Sequence, residues 1–310
     1  MMQRFVSQDL MPNSALYLLT IFIWGTSWYV IKLQLGEVAP QVSVFYRFVI
    51  AALTLLIYCL IRRKSLHYRL IDHARFAFIG LFLFNLNYIS IYFASFHLTT
   101  GLISVIFSCV QIFNMVIGYL VLRDRITGMM LVGALTGILG IGLVFSPEIN
   151  QLDWSSASIR GVGLALLGTL CAAIGMISSA RFQRQQYPVL QTNAWGMAWG
   201  ALWMGVYIWI TGIEFSFEYS AKYIGGLFWL SIFSTVFGFG CFLTLVGRIG
   251  AARSSYAMVI FPIVALALST LFEEYQWTTV ASIGLILAIA GNVIILLDKQ
   301  HVIAEKAAVG

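Results

Sequence analysis

Residues 85–127 read NLNYISIYFASFHLTTGLISVIFSCVQIFNMVIGYLVLRDRIT. Two apolar runs are visible here, each long enough to cross a ~30 Å hydrocarbon layer as a helix. Only residues 97–101 separate them, so the two helices must run antiparallel. Polar residues recur at helical spacing inside both runs. Asn85, Tyr88, Tyr92 and Ser95 mark the first, and Ser104, Ser108 and Gln111 mark the second, with Asn114 one turn further. An unpaired polar group in hydrocarbon costs roughly several kcal/mol, so these faces are expected to look inward, at other helices or at a cavity.

The rest of the chain extends the same pattern. Of 310 residues, 60% are hydrophobic and 10% charged, with a mean hydropathy of +0.90. A soluble domain carries roughly 25% charged residues, and no soluble core of this size absorbs so much apolar surface. The composition therefore points to an all-α membrane protein. Ten apolar segments fall at about 14–33, 42–61, 76–96, 101–122, 127–146, 161–180, 191–212, 223–246, 251–272 and 278–297. The first extends to about residue 33 without a small-residue cleavage pattern, and reads as a retained helix rather than a signal peptide. Gly133, Gly137, Gly140, Gly161, Gly163, Gly284 and Gly291 lie inside the segments and fit close helix–helix approach.

Charge in the loops supports this count. Arg4, Arg62, Arg63, Lys64, Arg69, Arg75, Arg123, Arg125, Arg181, Arg184, Arg248, Arg253, Lys299 and Lys306 all fall on one side of a ten-span layout. Only Lys32, Arg160 and Lys222 fall on the other, where Glu37, Glu148, Asp153, Glu214, Glu218, Glu273 and Glu274 gather. Such alternation predicts cytoplasmic N- and C-termini. The net charge of +6 is spread over short loops, which excludes a nucleic-acid-binding face. Cys59, Cys109, Cys171 and Cys241 sit within apolar segments without ligand spacing and read as small packing residues.

The two halves match. A shift of 150 residues brings Ala15-Leu16 onto Ala165-Leu166, Gly25 onto Gly175, Ser104 onto Ser254 and Asp124 onto Glu274. Five segments per half is an odd number, so the second copy enters the membrane from the opposite face. The expected organisation is a tail over 1–13, a first five-helix repeat over 14–147, a periplasmic linker over 148–160, a second repeat over 161–297 and a tail over 298–310. Inverted repeats around a central cavity are a recurring plan of secondary transporters, because two like but opposed halves can exchange inward- and outward-open forms.

Trp24-Gly25 in the first helix, Arg47-Phe48 early in the second, the stretch from Tyr92 through Gly101 to Asp124, and Gly250-Ala251-Ala252, Pro262 and Glu274 in the second half carry a resemblance. Taken with the ten-span repeat, they resemble the EamA-type branch of the drug/metabolite transporter superfamily over nearly the whole chain. The resemblance implies an inner-membrane exporter or exchanger, of amino acids, sugars, nucleotide-like metabolites or drugs, with a cavity formed by helices 1, 3, 4, 6, 8 and 9. It is similar in plan to bacterial aromatic amino-acid exporters. Two departures stand out. Ile112 occupies the position equivalent to Pro262, so only the second half carries the expected helix break. No acidic residue lies inside a span, so the first-helix glutamate of the small multidrug relatives is absent.

Several residues are candidates for the cavity wall. Arg47 must snorkel, pair or face water. It either holds a carboxylate or phosphate bidentately, or pairs with helix-end carbonyls and stiffens the outer vestibule. Trp24 and Trp28, one turn apart, offer flat apolar surface. Asn85, Tyr88 and Tyr92 share a face on uniform helical spacing, whereas Asn87 points elsewhere, towards a bond between helices. Ser104, Ser108 and Gln111 form the best polar stripe, although serines can satisfy themselves on the preceding turn. Ser178, Ser179, Ser231, Ser234, Thr235, Ser254, Ser255 and Tyr256 are weaker candidates in the second half, and Pro262 is a candidate hinge. His97, in an outer turn, reads as an exposed loop residue.

Membrane-embedded hydrolysis would need a nucleophile with a His, Lys or carboxylate partner inside the spans, and none is present. Four scattered cysteines supply no metal site, and no charged ring or filter-like segment suggests a channel. The sequence thus predicts a transporter without a cofactor, acting as a monomer or weak homodimer in the lipid bilayer. Its partner is a small amphipathic molecule such as an amino acid, with multidrug or cation efflux as the alternative.

Overall fold

A computed structural model describes residues 11–123, 126–144, 157–249, 257–273, 275 and 277–309. Among the described residues the chain forms ten helical rods. α1 is Asn13–Leu33, α2 Pro40–Ile61, α5 Gly128–Val144, α6 Ala157–Arg184 and α7 Val189–Thr211. α9 is Ala257–Phe272 and α10 is Thr279–Val309. The other three rods are interrupted. α3 runs Leu70–Leu81, Phe82–Leu86 and Asn87–Ala94, with a π-helical middle. α4 runs Thr100–Phe107 and Val110–Leu122. α8 runs Ala221–Phe228, Trp229–Phe237 and Gly238–Ile249, again π-helical in the middle.

Local chemistry sets the ends. Pro40 opens α2 at the position where a missing N–H costs nothing. The Thr99 and Ser220 side chains accept from the amides of Leu102 and Tyr223 and cap α4 and α8. Gly212 closes α7 at φ +69°, a left-handed conformation that glycine adopts without penalty. α3 starts six residues before the expected 76, because Asp72 accepts from the Arg69 amide and caps the helix early. α10 runs past the expected 297 to Val309, through a segment rich in helix-favouring Ala, Glu and Lys.

α1, α2, α3, α4, α6 and α8 are each long and apolar enough to cross a membrane, with shorter apolar helices at Gly128–Val144, Ile260–Phe272 and Thr279–Ile295. The polarity is that of a protein in lipid. Leu131, Leu135 and Leu139 stand outward on α5, while Arg47, Asn85, Asn87, Ser104 and Thr235 are buried.

Packing between the rods obeys the exchange of halves. α2 lies on α7, α5 on α10 and α4 on α9. α1 packs on α8 and α9, and its counterpart α6 packs on α3 and α4. The π-helical segments are related too, since 82–86 shifted by 150 falls within 229–237. Small residues allow the closest crossing, α5 on α10. A Cβ at Gly140 would lie 2.2 Å from the Ala288 amide nitrogen, and one at Gly291 would lie 2.4 Å from the Gly133 carbonyl oxygen. Gly161 likewise meets His97 and Leu98, and Gly137 receives Gly291. Gly163 differs from its expected packing role, because it faces open space. All four cysteines are buried thiols.

The expectation that only the second half carries a helix break is corrected. α9 runs through Pro262, which cannot donate to the carbonyl of residue 258. α4 is interrupted at the equivalent point, Ser108-Cys109, without a proline. There the amides of Cys109, Gln111 and Ile112 reach only three residues back, the Ser108 amide is shared between the Ser104 and Val105 carbonyls, and the Ser108 hydroxyl donates to the Val105 carbonyl at 2.6 Å. A serine hydroxyl competing for backbone carbonyls loosens the helix where proline would otherwise do so.

Candidate functional site

A cavity of about 110 Å³ lies where α1, α3, α4, α6, α8 and α9 converge, with α2 contributing Arg47. Trp24, Ser27, Trp28 and Ile31 line it from α1. α3 supplies Leu83, Asn87, Tyr88 and Ile91; Phe107, Met176, Ser234, Phe239, Met258 and Phe261 complete the wall. Most of this surface is aromatic or aliphatic. Trp28 stacks on Phe261 with ring centroids 5.9 Å apart and meets Phe107 edge-on at 5.2 Å. Trp24 packs against Phe239 and donates its indole N–H to the Ser234 carbonyl at 3.1 Å. That bond depends on Gly238, where a Cβ would sit 2.5 Å from the Trp24 indole nitrogen.

Arg47 supplies the charge. It is only 2% exposed, eight residues into α2. Its Nε donates to the Thr235 hydroxyl at 3.2 Å and its Nη2 to the Ser234 hydroxyl at 3.4 Å. The Tyr88 ring lies under the guanidinium, 4.4 Å away. Every partner is neutral. Nη1 has no hydrogen bond, and among the described residues no carboxylate pairs with this arginine. Thr235 is held in turn by donation to the Leu230 carbonyl, five residues back, the spacing of the π-helical segment.

The expected wall residues divide. Trp24, Trp28, Arg47, Tyr88 and Ser234 line the cavity together. Asn85 does not; its amide donates to the Gly200 carbonyl on α7 at 3.1 Å. Tyr92 is fully buried and is not part of the lining; its phenol lies beside the Arg47 guanidinium. Ser104 and Ser178 turn back onto their own helices, bonding the carbonyls of Gly101 and Ile174, as Ser108 does. Gln111 is half-buried off the wall, and Asn114 faces the Met176 sulfur on α6. Ser254, Ser255 and Tyr256 lie outside the described residues.

Asn87, expected to point elsewhere, is on the wall. On α3 the cavity side is Leu83, Asn87, Tyr88 and Ile91, at the i, i+4, i+5 and i+8 spacing of a helix, so the wall is the face beside the expected Asn85–Tyr88–Tyr92 stripe. Thr235 was only a weak candidate in sequence, since its role depends on the π-helical turn of α8.

A second polar cluster closes the end of the bundle towards which α1 and α9 run. Lys32 at the end of α1 meets Glu273 Oε1 at 2.7 Å. Glu273 Oε2 accepts from the Thr100 amide at 2.9 Å and from the Thr100 and Ser269 hydroxyls, both at 2.6 Å. One carboxylate thus joins α1, α9 and the N-terminus of α4. Burial opposes its ionisation, but these donors outweigh burial and hold the carboxyl below the ordinary glutamate range.

Comparison with known proteins agrees with this architecture. A model of the EamA-like transporter family matches twice, over residues 13–146 and 159–297. Among curated relatives, the uncharacterized transporter YoaV of Bacillus subtilis is 25% identical over 87% of this chain and 91% of its own. A protein of Escherichia coli described as a probable amino-acid metabolite efflux pump is 22% identical, covering 90% of this chain and 93% of its own. A solved crystal structure superposes with a TM-score of 0.66 over 92% of this chain and 97% of that one, at 13% identity, a likeness of fold alone. Ten helical rods in two matching halves, and a family model that fits each half, make this chain a multi-pass membrane transporter belonging to the EamA-like transporter family.

Proposed function

We propose that this transporter exports or exchanges small amphipathic carboxylates such as amino acids, by alternating access in a bacterial inner membrane. The observation that carries the reading is Arg47, a buried cation on the wall of an aromatic cavity with only neutral partners. An uncompensated buried charge is unfavourable, and a substrate carboxylate would both neutralise it and occupy Nη1. The same charge repels cationic drugs, and about 110 Å³ is small beside the roughly 300–1,000 Å³ of pockets for drug-sized ligands. Both features favour a small metabolite over multidrug efflux. The name of the E. coli relative points the same way.

In this reading both termini are cytoplasmic, as the loop charges favour. The Lys32–Glu273 cluster closes the outer side, and the protein works as a monomer or weak homodimer. Pro262 and the Ser108-Cys109 interruption serve as paired hinges in α9 and α4. The test is counterflow in proteoliposomes loaded with a pool of amino acids, with nucleosides and cationic dyes as competitors. Saturable amino-acid exchange is the expected result. Dye transport without it would move the protein to the multidrug class.

A further inference from the structure

Two residues of the cavity lining each carry a buried polar atom without a partner among the described residues, Nη1 of Arg47 and Oδ1 of Asn87. Both side chains are more than nine-tenths buried, at 2% and 4% exposure. Both residues line the same cavity, and the chain neighbour of Asn87, Tyr88, has its ring under the guanidinium. They are also of opposite kind. One is a charged donor, the other a neutral acceptor.

Asn87 is held in that pose. Its Nδ2 donates to the Leu83 carbonyl at 3.2 Å, which leaves Oδ1 as the free end of the amide. α6 clamps the backbone on both sides of this bond. A Cβ at Gly168 would lie 3.0 Å from the Asn87 carbonyl oxygen, and one at Gly175 would lie 2.5 Å from the Leu83 Cβ. The amide is therefore preorganised before any ligand arrives. The residue type matters as well. An aspartate here would pair with Arg47 and quench it; an asparagine offers an acceptor and leaves the cation unspent.

We propose that Asn87 determines specificity by accepting a hydrogen bond from the ammonium group of a substrate whose carboxylate meets Arg47. The cavity then reads the zwitterion of an α-amino acid, while the Trp28–Phe261 stack and Phe107 receive an apolar side chain. The proposal rests on the carboxylate reading of Arg47 given above and goes beyond it by naming the group that separates amino acids from plain carboxylates. A site that leaves a buried acceptor unpaired when the amine is missing discriminates steeply against such an analogue.

The experiment is competition against labelled L-leucine and L-phenylalanine in proteoliposome counterflow. The competitors are the des-amino acids 4-methylpentanoate and 3-phenylpropionate, and the des-carboxy amines isopentylamine and phenethylamine. In the native protein both analogue classes should compete at least about tenfold more weakly than the amino acids. Asn87→Leu, close in volume, should bring the des-amino acids level with the amino acids while the amines stay weak. Asn87→Asp should abolish exchange of every carboxylate. If the des-amino acids compete as well as the amino acids in the native protein, the role of Asn87 is overturned and the carboxylate reading stands. If the amines compete and the carboxylates do not, both fall together. Retained discrimination in a folded Asn87→Leu protein would also overturn the role of Asn87. Should that variant fail to fold, the native analogue series decides alone.

Discussion

Arg47 illustrates how a single residue separates a structural from a ligand-binding role. An arginine that holds a fold together is surrounded by groups that compensate its charge, and its removal leaves them exposed in the core. Arg47 has two hydroxyls, a tyrosine ring and an Nη1 without a hydrogen bond. Replacing it by glutamine removes a desolvated cation that no carboxylate among the described residues neutralises. Arg47→Gln should therefore leave thermal stability in detergent unchanged or raise it by about 1 kcal/mol. The same variant should lower exchange of carboxylate substrates by about 1–3 kcal/mol of transition-state binding, roughly 5- to 150-fold. A melting temperature that falls while transport persists would identify a scaffold arginine. Trp24 tests the opposite case. Its indole is bonded to the Ser234 carbonyl and fitted against Gly238, so Gly238→Ala should displace the ring and destabilise the protein by about 1–3 kcal/mol, read as a lower melting temperature.

At the scale of the element, helix 8 is organised by its π-helical turn, and helices 5 and 10 by glycine. The π-turn of α8 lets Thr235 reach both Arg47 and the Leu230 carbonyl five residues back. The polar stripe of α3 suggested Asn85 and Tyr92 for the wall and left Asn87 off it, because polarity marks an inward face without saying whether a helix or the cavity lies opposite. In α5 and α10 the spacing was readable, since small residues facing each other are needed wherever backbones touch. Gly140→Leu should cost about 1–3 kcal/mol or more, because its side chain would enter the backbone of α10 near Ala288. Gly163→Ala should be neutral or stabilising by about 0.5–1 kcal/mol, as it adds a helix-favouring methyl in open space. Thermal unfolding of the two variants side by side checks the pair.

For the whole molecule, a single carboxylate ties one end of the bundle together. Glu273 joins α1, α4 and α9 through Lys32, Thr100 and Ser269. The positions related to Lys32 and Glu273 by the 150-residue shift are Phe182 and Arg123, and among the described residues they form no ion pair. In the orientation proposed above, this cluster is the outer closure, and the described residues at the repeat-related positions hold no matching ion pair. Glu273→Gln should favour the outward-open form, seen as faster labelling of a cysteine placed at Ile31 by an impermeant maleimide added outside. Because the folded-state pKa of Glu273 is lowered, the closure contributes fully above the ordinary glutamate value of about 4.3. Its contribution is lost as the pH falls through the lower value of the folded state. Labelling of the otherwise native protein should therefore rise only in strong acid, and the Glu273→Gln variant should show no such rise.

Hydropathy, loop charge and self-similarity by themselves determined that this chain crosses a membrane as helices in two opposed halves. Each of those signals is local and additive, so the ten spans and the five-and-five division follow from counting along the chain. Arg47, Trp24, Trp28, Tyr88 and Ser234 were also legible, since a charge, large aromatics and a hydroxyl at those depths demand inward placement. Only the tertiary structure decided which polar residues meet. Ser104, Ser108 and Ser178 had carbonyls available on their own helices, and Asn85 had one on α7, so their polarity needed no cavity. Asn87 lies on the wall because α6 packs against its backbone through Gly168 and Gly175 and leaves that side of α3 to the cavity. That no carboxylate among the described residues pairs with Arg47 is a property of its neighbours in space, and no reading along the chain contains it.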